Sequence, residues 1–376
     1  MATDTAIYSD LPIPPGEYLE EILDDLGMTK NELALRMNRP ATKLSSIFKG
    51  RKAITADTAL QLEKVVGVPA HIWTGLEAEY RLAMARQQEE REQEQLKKET
   101  PLIKSFCYAD LAKMGVVAKF TKGADKVLAL QRFFGVTSLY NVREVRRYAA
   151  AFRRGGSNQL RSPEAVAAWL RLGELRAREI ECATFDKSRL EDVLAEIRVM
   201  TIQPPDKFLP TLISLLANVG VALVICPHLP KTYAHGATFP LGREKMVLML
   251  SIRGKWADIF WFSLFHELGH ILLHDHNAIF VEYDNGDPEM QKKEKEADKF
   301  AANTLIPPKK WSAFICRKSF YPEDIRIFAR DVGVGTGIVV GRLQHEKFLR
   351  PRWHNSLRIR YGYDTNGRGI SRLVGA

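Results

Sequence analysis

Cysteine is scarce in this 376-residue chain: Cys107, Cys182, Cys226 and Cys316 lie far apart and form no CxxC pair. That pattern excludes a disulfide framework and a cysteine-ligated zinc site, and it fits a reducing cytoplasm. Long apolar runs are missing too. WADIFWFSLF, from Trp256, is the nearest approach, well short of the roughly 18 residues that span a bilayer. No membrane contact is expected. The start, MATDTAIYSDLPIPPGEYLEE, is acidic and has no apolar centre of the kind a signal peptide needs. Compositional bias is absent as well: 45% hydrophobic and 27% charged residues exclude a wholly disordered or collagen-like chain. The length implies two or three domains in a soluble cytoplasmic protein.

Charge is present in excess of one sign, and its distribution matters more than its sum. The net +10 divides into −4 for residues 1–79, zero for 80–100, +7 for 101–200, +1 for 201–340 and +6 for 341–376. Inside the acidic first segment, residues 30–52 carry seven basic groups against the single acid Glu32. A basic patch on an otherwise acidic domain points to one face that meets phosphates.

Periodicity predicts a mainly α protein with a small β-sheet. Five short helices are expected over 10–80. The first carries Tyr18, Leu19, Ile22, Leu23 and Leu26 on one stripe behind Pro14-Pro15, and Gly27 ends it. Thr29 and Glu32 have the spacing of a capping box that opens the second. A turn at Asn38-Arg39-Pro40 separates it from a third helix, about 41–48. Residues 81–100 are rich in Gln, Glu, Lys and Arg and read as a charged helical linker. Residues 101–205 read as an α-helical middle domain without a catalytic motif. Strand-type runs at Val221–Ile225, Ala237–Phe239 and Lys245–Ile252 place a small sheet inside a domain of about 206–322. Two short helices and a basic, aromatic tail occupy 323–376. Its Trp353, Arg358, Arg360 and Tyr361 suit either a nonspecific DNA contact or, as is commoner, a packed terminus.

The helices on either side of Asn38–Pro40 fit a helix-turn-helix whose second helix enters a major groove. Thr42, Lys43, Ser45 and Ser46 are the candidates for base edges; Arg39, Lys49, Arg51 and Lys52 are candidates for phosphates. Leu33, Ala34, Leu44 and Ile47 are expected in the core. Residues 14–80, from PPGEYLEEIL through TKNELALRMNRPATKLSSIFKGRKAITADTALQLEKVVGVPAHIW, resemble the HigA-type antidote branch of the Cro/phage-repressor helix-turn-helix group. The resemblance implies operator DNA as a partner. Such modules bind weakly alone, so a homodimer on a two-fold operator is expected. The competing reading keeps the fold for protein contacts only.

The residues that carry chemistry are His266-Glu267-Leu268-Gly269-His270. On a helix, the two histidines lie one turn apart on one face, and both imidazoles can meet one ion. Zn²⁺ suits that spacing, and Mn²⁺ is admissible. Glu267 stands beside them, where a carboxylate can take a proton from water activated by the metal. A third protein ligand is needed. His274 lies another turn along the helix, too far for the same ion, and suits a supporting or capping role. Glu294 and Glu296 both precede a packing face of Ala297, Phe300, Ala301, Thr304 and Leu305. Glu296, with Phe300 as its i+4 neighbour, borders that face and is the preferred ligand. Asp298 can orient a histidine or remain a solvated acid. Tyr233 and His235 are candidates to polarise a scissile carbonyl, or structural residues.

The stretch 245–308, with VLMLS, WFSLFHELGHILLH and EKEADKFAANTLIP, resembles the ImmA/IrrE-type metallopeptidases, and the likeness extends over about 210–360. It implies a zincin-like fold, His266, His270 and Glu296 on the metal, and Glu267 as general base. The HExxHxxGxxH extension of the metzincins is missing. By resemblance, the reaction is limited proteolysis of a regulatory protein that relieves repression. The alternative is an antitoxin-type repressor with a toxin partner and a regulatory or silent metal site.

Overall fold

The computed structural model describes residues 12–154, 162–274, 280–281, 288–365 and 367–373. The acidic start, residues 1–11, lies outside the described residues. The chain divides into two compact units, Met1–Lys98 and Glu99–Ala376.

The first unit contains α1 (Pro15–Asp25), α2 (Lys30–Arg36), α3 (Ala41–Phe48), α4 (Ala56–Val66) and the start of α5 (Ala70–Glu99). Local chemistry sets the boundaries. Pro15 occupies the first turn of α1, where no amide partner is needed. Thr29 Oγ1 accepts the Glu32 N–H at 3.1 Å and opens α2. Gly67 ends α4 in the left-handed region. Leu19, Leu23, Leu33, Ala34, Leu44, Ile47, Leu62 and Trp73 form the buried core. The expected fifth helix and linker are one continuous 30-residue helix. Its first turns belong to this core: Trp73 is fully buried, and Glu77 accepts the Ile54 N–H at 3.0 Å.

The second unit begins with α6 (Leu102–Ser105), α7 (Tyr108–Lys113), α8 (Gly123–Phe134), α9 (Arg146–Arg154), α10 (Pro163–Arg178), α11 (Lys187–Val199) and α12 (Pro205–Ala217). Strands β1 (Val221–Ile225), β2 (Gly236–Leu241) and β3 (Lys245–Leu250) lead to α13 (Ala257–Leu273), β4 (Phe280–Val281) and α14 (Pro288–Leu305). The chain closes with α15 (Pro308–Cys316), α16 (Pro322–Val332), α17 (Thr336–His345) and a hairpin of β5 (Tyr361–Tyr363) and β6 (Ile370–Arg372). The main sheet runs β1-β3-β2-β4. β1 pairs parallel to β3, with Val221 opposite Met246. β2 is antiparallel to both neighbours, with Gly236 opposite Leu250. A mainly α architecture with a small sheet is therefore what the chain adopts.

Both faces of the sheet are covered. Leu223, Ile225, Leu248 and Leu250 join a core with Phe208, Trp261, Leu264 and Leu268 from α12 and α13. The alternate positions turn the other way, where Met249 lies against α10; a Cβ on Gly173 would come within 2.0 Å of its Sδ. This packing corrects the expected boundary at residue 205. The stretch 101–205 is not a separate body but part of the same compact unit as the sheet and α13. Arg176 Nη1 donates to Ile225 O at 3.0 Å and to Gly367 O at 2.9 Å, joining α10 to the sheet and the C-terminal hairpin. The boundary at 322 likewise separates nothing. Arg358 donates to both carboxylate oxygens of Asp258, at 3.0 and 2.7 Å, fastening the tail to the first turn of α13. The tail is a packed terminus, with Tyr361 buried and Trp353 exposed. Among the described residues no helix is long and apolar enough to cross a membrane.

Candidate metal centre and helix-turn-helix surface

α13 is buried along nearly its whole length, against β2, β3, α14 and α17. Its apolar residues make that burial favourable, and they carry His266, Glu267 and His270 into the interior, each 2% exposed or less. Buried polar side chains are costly unless satisfied, so their surroundings define the site. The two Nε2 atoms lie 3.0 Å apart. Glu294 Oε2, from α14, lies 3.1 Å from His266 Nε2 and 3.5 Å from His270 Nε2. α14 reaches this close because Gly269 has no side chain: a Cβ there would stand 3.0 Å from Phe300 Cδ1 and 3.3 Å from Ala297 Cα.

The three donor atoms fit a metal ion. His266 Nδ1 lies 2.9 Å from Asp298 Oδ1; a carboxylate only accepts, so Nδ1–H donates and Nε2 keeps its lone pair. That lone pair faces a carboxylate oxygen, which also offers only lone pairs. A cation among them removes the repulsion. The separations also lie near the roughly 3.3 Å edge of a tetrahedron drawn around an ion with bonds of about 2.0–2.1 Å. His266, His270 and Glu294 are the cluster with metal-binding geometry found among the described residues. Burial depresses the pKa of His270, against the opposing pull of Glu294, and so favours the neutral imidazole that ligates metals.

The preference for Glu296 is therefore corrected to Glu294. Residues on an α-helix advance by about 100° each, so Glu294, Ala297, Ala301 and Leu305 share an arc of about 80° while Glu296 lies about 140° from its centre. Ala297, Ala301 and Leu305 are the buried residues of α14. Phe300, i+4 to Glu296, is only half-buried at the margin of that arc. The Glu296 side chain is 46% exposed and stands 3.9 Å from His274 Nδ1. His274 caps α13 and bonds through Nε2 to Lys293 O at 3.1 Å, the expected supporting role.

Glu267 is fully buried beside the two histidines. The first residue of β2 makes room for it: a Cβ on Gly236 would fall 2.3 Å from Glu267 Oε1. No local sequence pattern marks this close approach, which joins β2 to α13 across 31 positions. His235, just before Gly236, is pushed down to about 4, by burial first and then by Arg253, His228 and His266; it is a neutral imidazole at physiological pH. Tyr233 has a left-handed backbone, φ 53°, and its carbonyl accepts from Arg253 at 2.6 Å. It serves the turn before β2.

In the first unit, Thr42, Lys43 and Ser45 lie exposed on α3, while Leu44 and Ile47 turn inward. Ser46 is half-buried and donates to Thr42 O at 3.2 Å. Lys49, Arg51 and Lys52 are exposed beyond α3. Arg39 differs from the rest: its Nε donates to Gln61 Oε1 at 2.6 Å, which ties it to α4.

Residues 220–344 match the peptidase M78 family, described as an IrrE N-terminal-like domain. The chain is 37% identical over 76 residues to virulence-associated protein I of Dichelobacter nodosus, covering 20% of this chain and 70% of that protein. It is 31% identical over 71 residues to the uncharacterised HTH-type transcriptional regulator YddM of Escherichia coli K12, covering 19% and 76%. Among solved structures, an addiction-module antidote protein of a HigA family from Coxiella burnetii is 37% identical, covering 21% of this chain and 88% of that one, with a TM-score of 0.20.

Proposed function

The chain belongs to the HTH-type transcriptional regulators through its first unit and carries an IrrE N-terminal-like peptidase M78 domain in its second, and on that premise we propose a DNA-binding regulator that is also a metal-dependent endopeptidase. The observation that carries the proposal is the convergence of His266, His270 and Glu294 beside the buried Glu267. A bound divalent ion, zinc or manganese, supplies Lewis acidity: it polarises a peptide carbonyl and brings the pKa of water down toward about 7. The chain's own groups do the rest. Asp298 fixes the His266 ring through Nδ1. Glu267 takes the proton from the attacking water and passes it to the leaving amine. β2 and α14 wall the site and keep Glu267 in place.

The substrate class that suits a fused DNA reader is a regulatory protein acting on the same genes, cut at few sites. Thr42, Lys43, Ser45 and Ser46 would read base edges in operator DNA, and Lys49, Arg51 and Lys52 would grip phosphates. Arg39 joins them with its remaining guanidinium nitrogens. Two copies on a two-fold operator supply the affinity one module lacks.

Glu267→Gln keeps the shape of the side chain and removes its basicity. Cells carrying wild type or Glu267→Gln are compared by sequencing protein N-termini, and both proteins are tested for retardation of DNA from upstream of the gene. Wild type should create new termini in a regulatory protein that the variant does not, with DNA retarded equally by both. Identical termini from both would overturn the peptidase and leave an antitoxin-type repressor.

A further inference from the structure

A cavity of about 470 Å³ lies beside the candidate metal centre, within the roughly 300–1,000 Å³ range of ligand pockets. Its walls come from three helices: Ile259 and Phe262 from α13, Ala302 from α14 with Ile306 just beyond it, and Ile338 from α17. The cavity borders the centre without being lined by any of the three donor residues. Asp298, which bonds His266 Nδ1, lines it, as does His235 at the start of β2. The Phe262 ring stands 6.3 Å from that of His266, centroid to centroid.

The charged groups within it are already engaged. Asp258 is taken by Arg358. Arg342 donates to the carbonyls of Ala302 and Ile306, at 3.0 and 3.3 Å, and to Glu346 Oε1 at 2.8 Å. Lys299, His345 and Glu346 are exposed and belong to the rim. A charged occupant would give up water for few free partners. An apolar one would bury against Ile259, Phe262, Ile306 and Ile338.

We propose that this cavity is the specificity subsite of the peptidase and takes one large aliphatic side chain, of the leucine or isoleucine kind, next to the scissile bond of the protein substrate. The inference rests on the metallopeptidase reading and adds the chemistry by which the enzyme selects its cleavage site. α17 supplies one wall, so the last helix of the M78 match helps set specificity.

The test measures binding. Full-length Glu267→Gln protein, loaded with zinc and assayed for metal content, is titrated calorimetrically with small hydroxamates. These chelate the metal and carry either hydrogen or an isobutyl branch, with one pair placing the branch on each side of the chelating group. In one pair the isobutyl compound should bind about ten- to a hundred-fold tighter, the gain from burying one aliphatic side chain. Ala302→Phe, which fills the cavity, should abolish the discrimination while leaving the affinity of the hydrogen compound within a few-fold. Ile259→Ala is the second variant, in case the first disturbs folding; it should weaken the isobutyl compound alone. Equal binding of both compounds in both pairs to zinc-loaded protein would overturn the subsite and leave the metal centre standing. Failure to retain zinc at all would overturn the metal centre and the subsite together.

Discussion

The sharpest consequence of the geometry concerns two glutamates two residues apart. Glu294 contributes one of three converging donor atoms, and its Oε2 lies 3.1 and 3.5 Å from the histidine nitrogens. Any ion shared by these atoms sits closer than about 4 Å to that carboxylate. Even single charges at about 4 Å attract by about 4 kcal/mol at an effective dielectric of roughly 20, so Glu294→Ala should weaken metal affinity at least about a thousandfold, at 1.4 kcal/mol per decade. Glu296 is half exposed and 3.9 Å from His274 Nδ1. An exposed charge in such a setting contributes up to about 1 kcal/mol, and Glu296→Ala should change affinity less than about fivefold. Purified wild type and both variants are dialysed against graded chelator and their metal content is read by mass spectrometry, with circular dichroism to confirm folding. Wild type and Glu296→Ala should hold one ion per chain where Glu294→Ala holds almost none. A folded Glu294→Ala that keeps its ion, or a Glu296→Ala that loses it, would refute the assignment.

Two further outcomes follow from single side chains. Gly236→Ala places a Cβ where Glu267 Oε1 stands, 2.3 Å away; metal content should hold while cleavage of a mapped substrate falls about a hundredfold, the scale of a 1 Å misplacement of a catalytic group, and unchanged cleavage would mean that Glu267 needs no fixed position. Burial alone would raise the pKa of Glu174, but Arg147 and Arg171 outweigh it and bring it from 4.5 down to about 2. A depressed carboxylate pKa contributes stability above the unfolded value that fades as pH falls from about 4.5 toward 2, on the order of 3 kcal/mol here. The melting-temperature gap between wild type and Glu174→Gln should therefore narrow between pH 6 and 3; a gap independent of pH would rule the linkage out.

The parts of the chain legible in its sequence are those set by local pattern. Thr29 with Glu32 announced the start of α2, Gly27 the end of α1, and the apolar run before His266 a buried helix bearing two inward histidines. Positions fixed by contact between distant segments were less legible. Both Glu294 and Glu296 precede an apolar face, and the sequence does not say whether alanines or a phenylalanine mark its centre. Gly269 decides this, because it lets α14 close onto α13 through Ala297. The role of 101–205 was hidden for the same reason. Its helices have ordinary amphipathic periodicity, and only the fold shows that Gly173 opposes Met249, 76 positions on, and that Arg176 reaches Ile225.

The HExxH string thus specifies less of the centre than its familiarity suggests. It fixes two imidazoles and a carboxylate on one helix, but three buried polar groups on one helix are a liability until other segments answer them. One answer comes through Gly269, where α14 approaches with Glu294 and Asp298. Another comes through Gly236, where β2 presses against Glu267. Both depend on a missing side chain, so an added methyl acts on different functions in the two places. At Gly269 it pushes away the helix bearing the third donor, and metal retention should suffer. At Gly236 it displaces the Glu267 carboxylate while His266, His270 and Glu294 stay. The same helix is held at its N-terminal end by the Asp258–Arg358 pair, both side chains below 10% exposed. Breaking a buried pair from one side leaves a lone charge and costs about 3–5 kcal/mol. The C-terminal tail therefore keeps α13 seated, which gives a physical reason for the chain to continue past the end of the M78 match at residue 344.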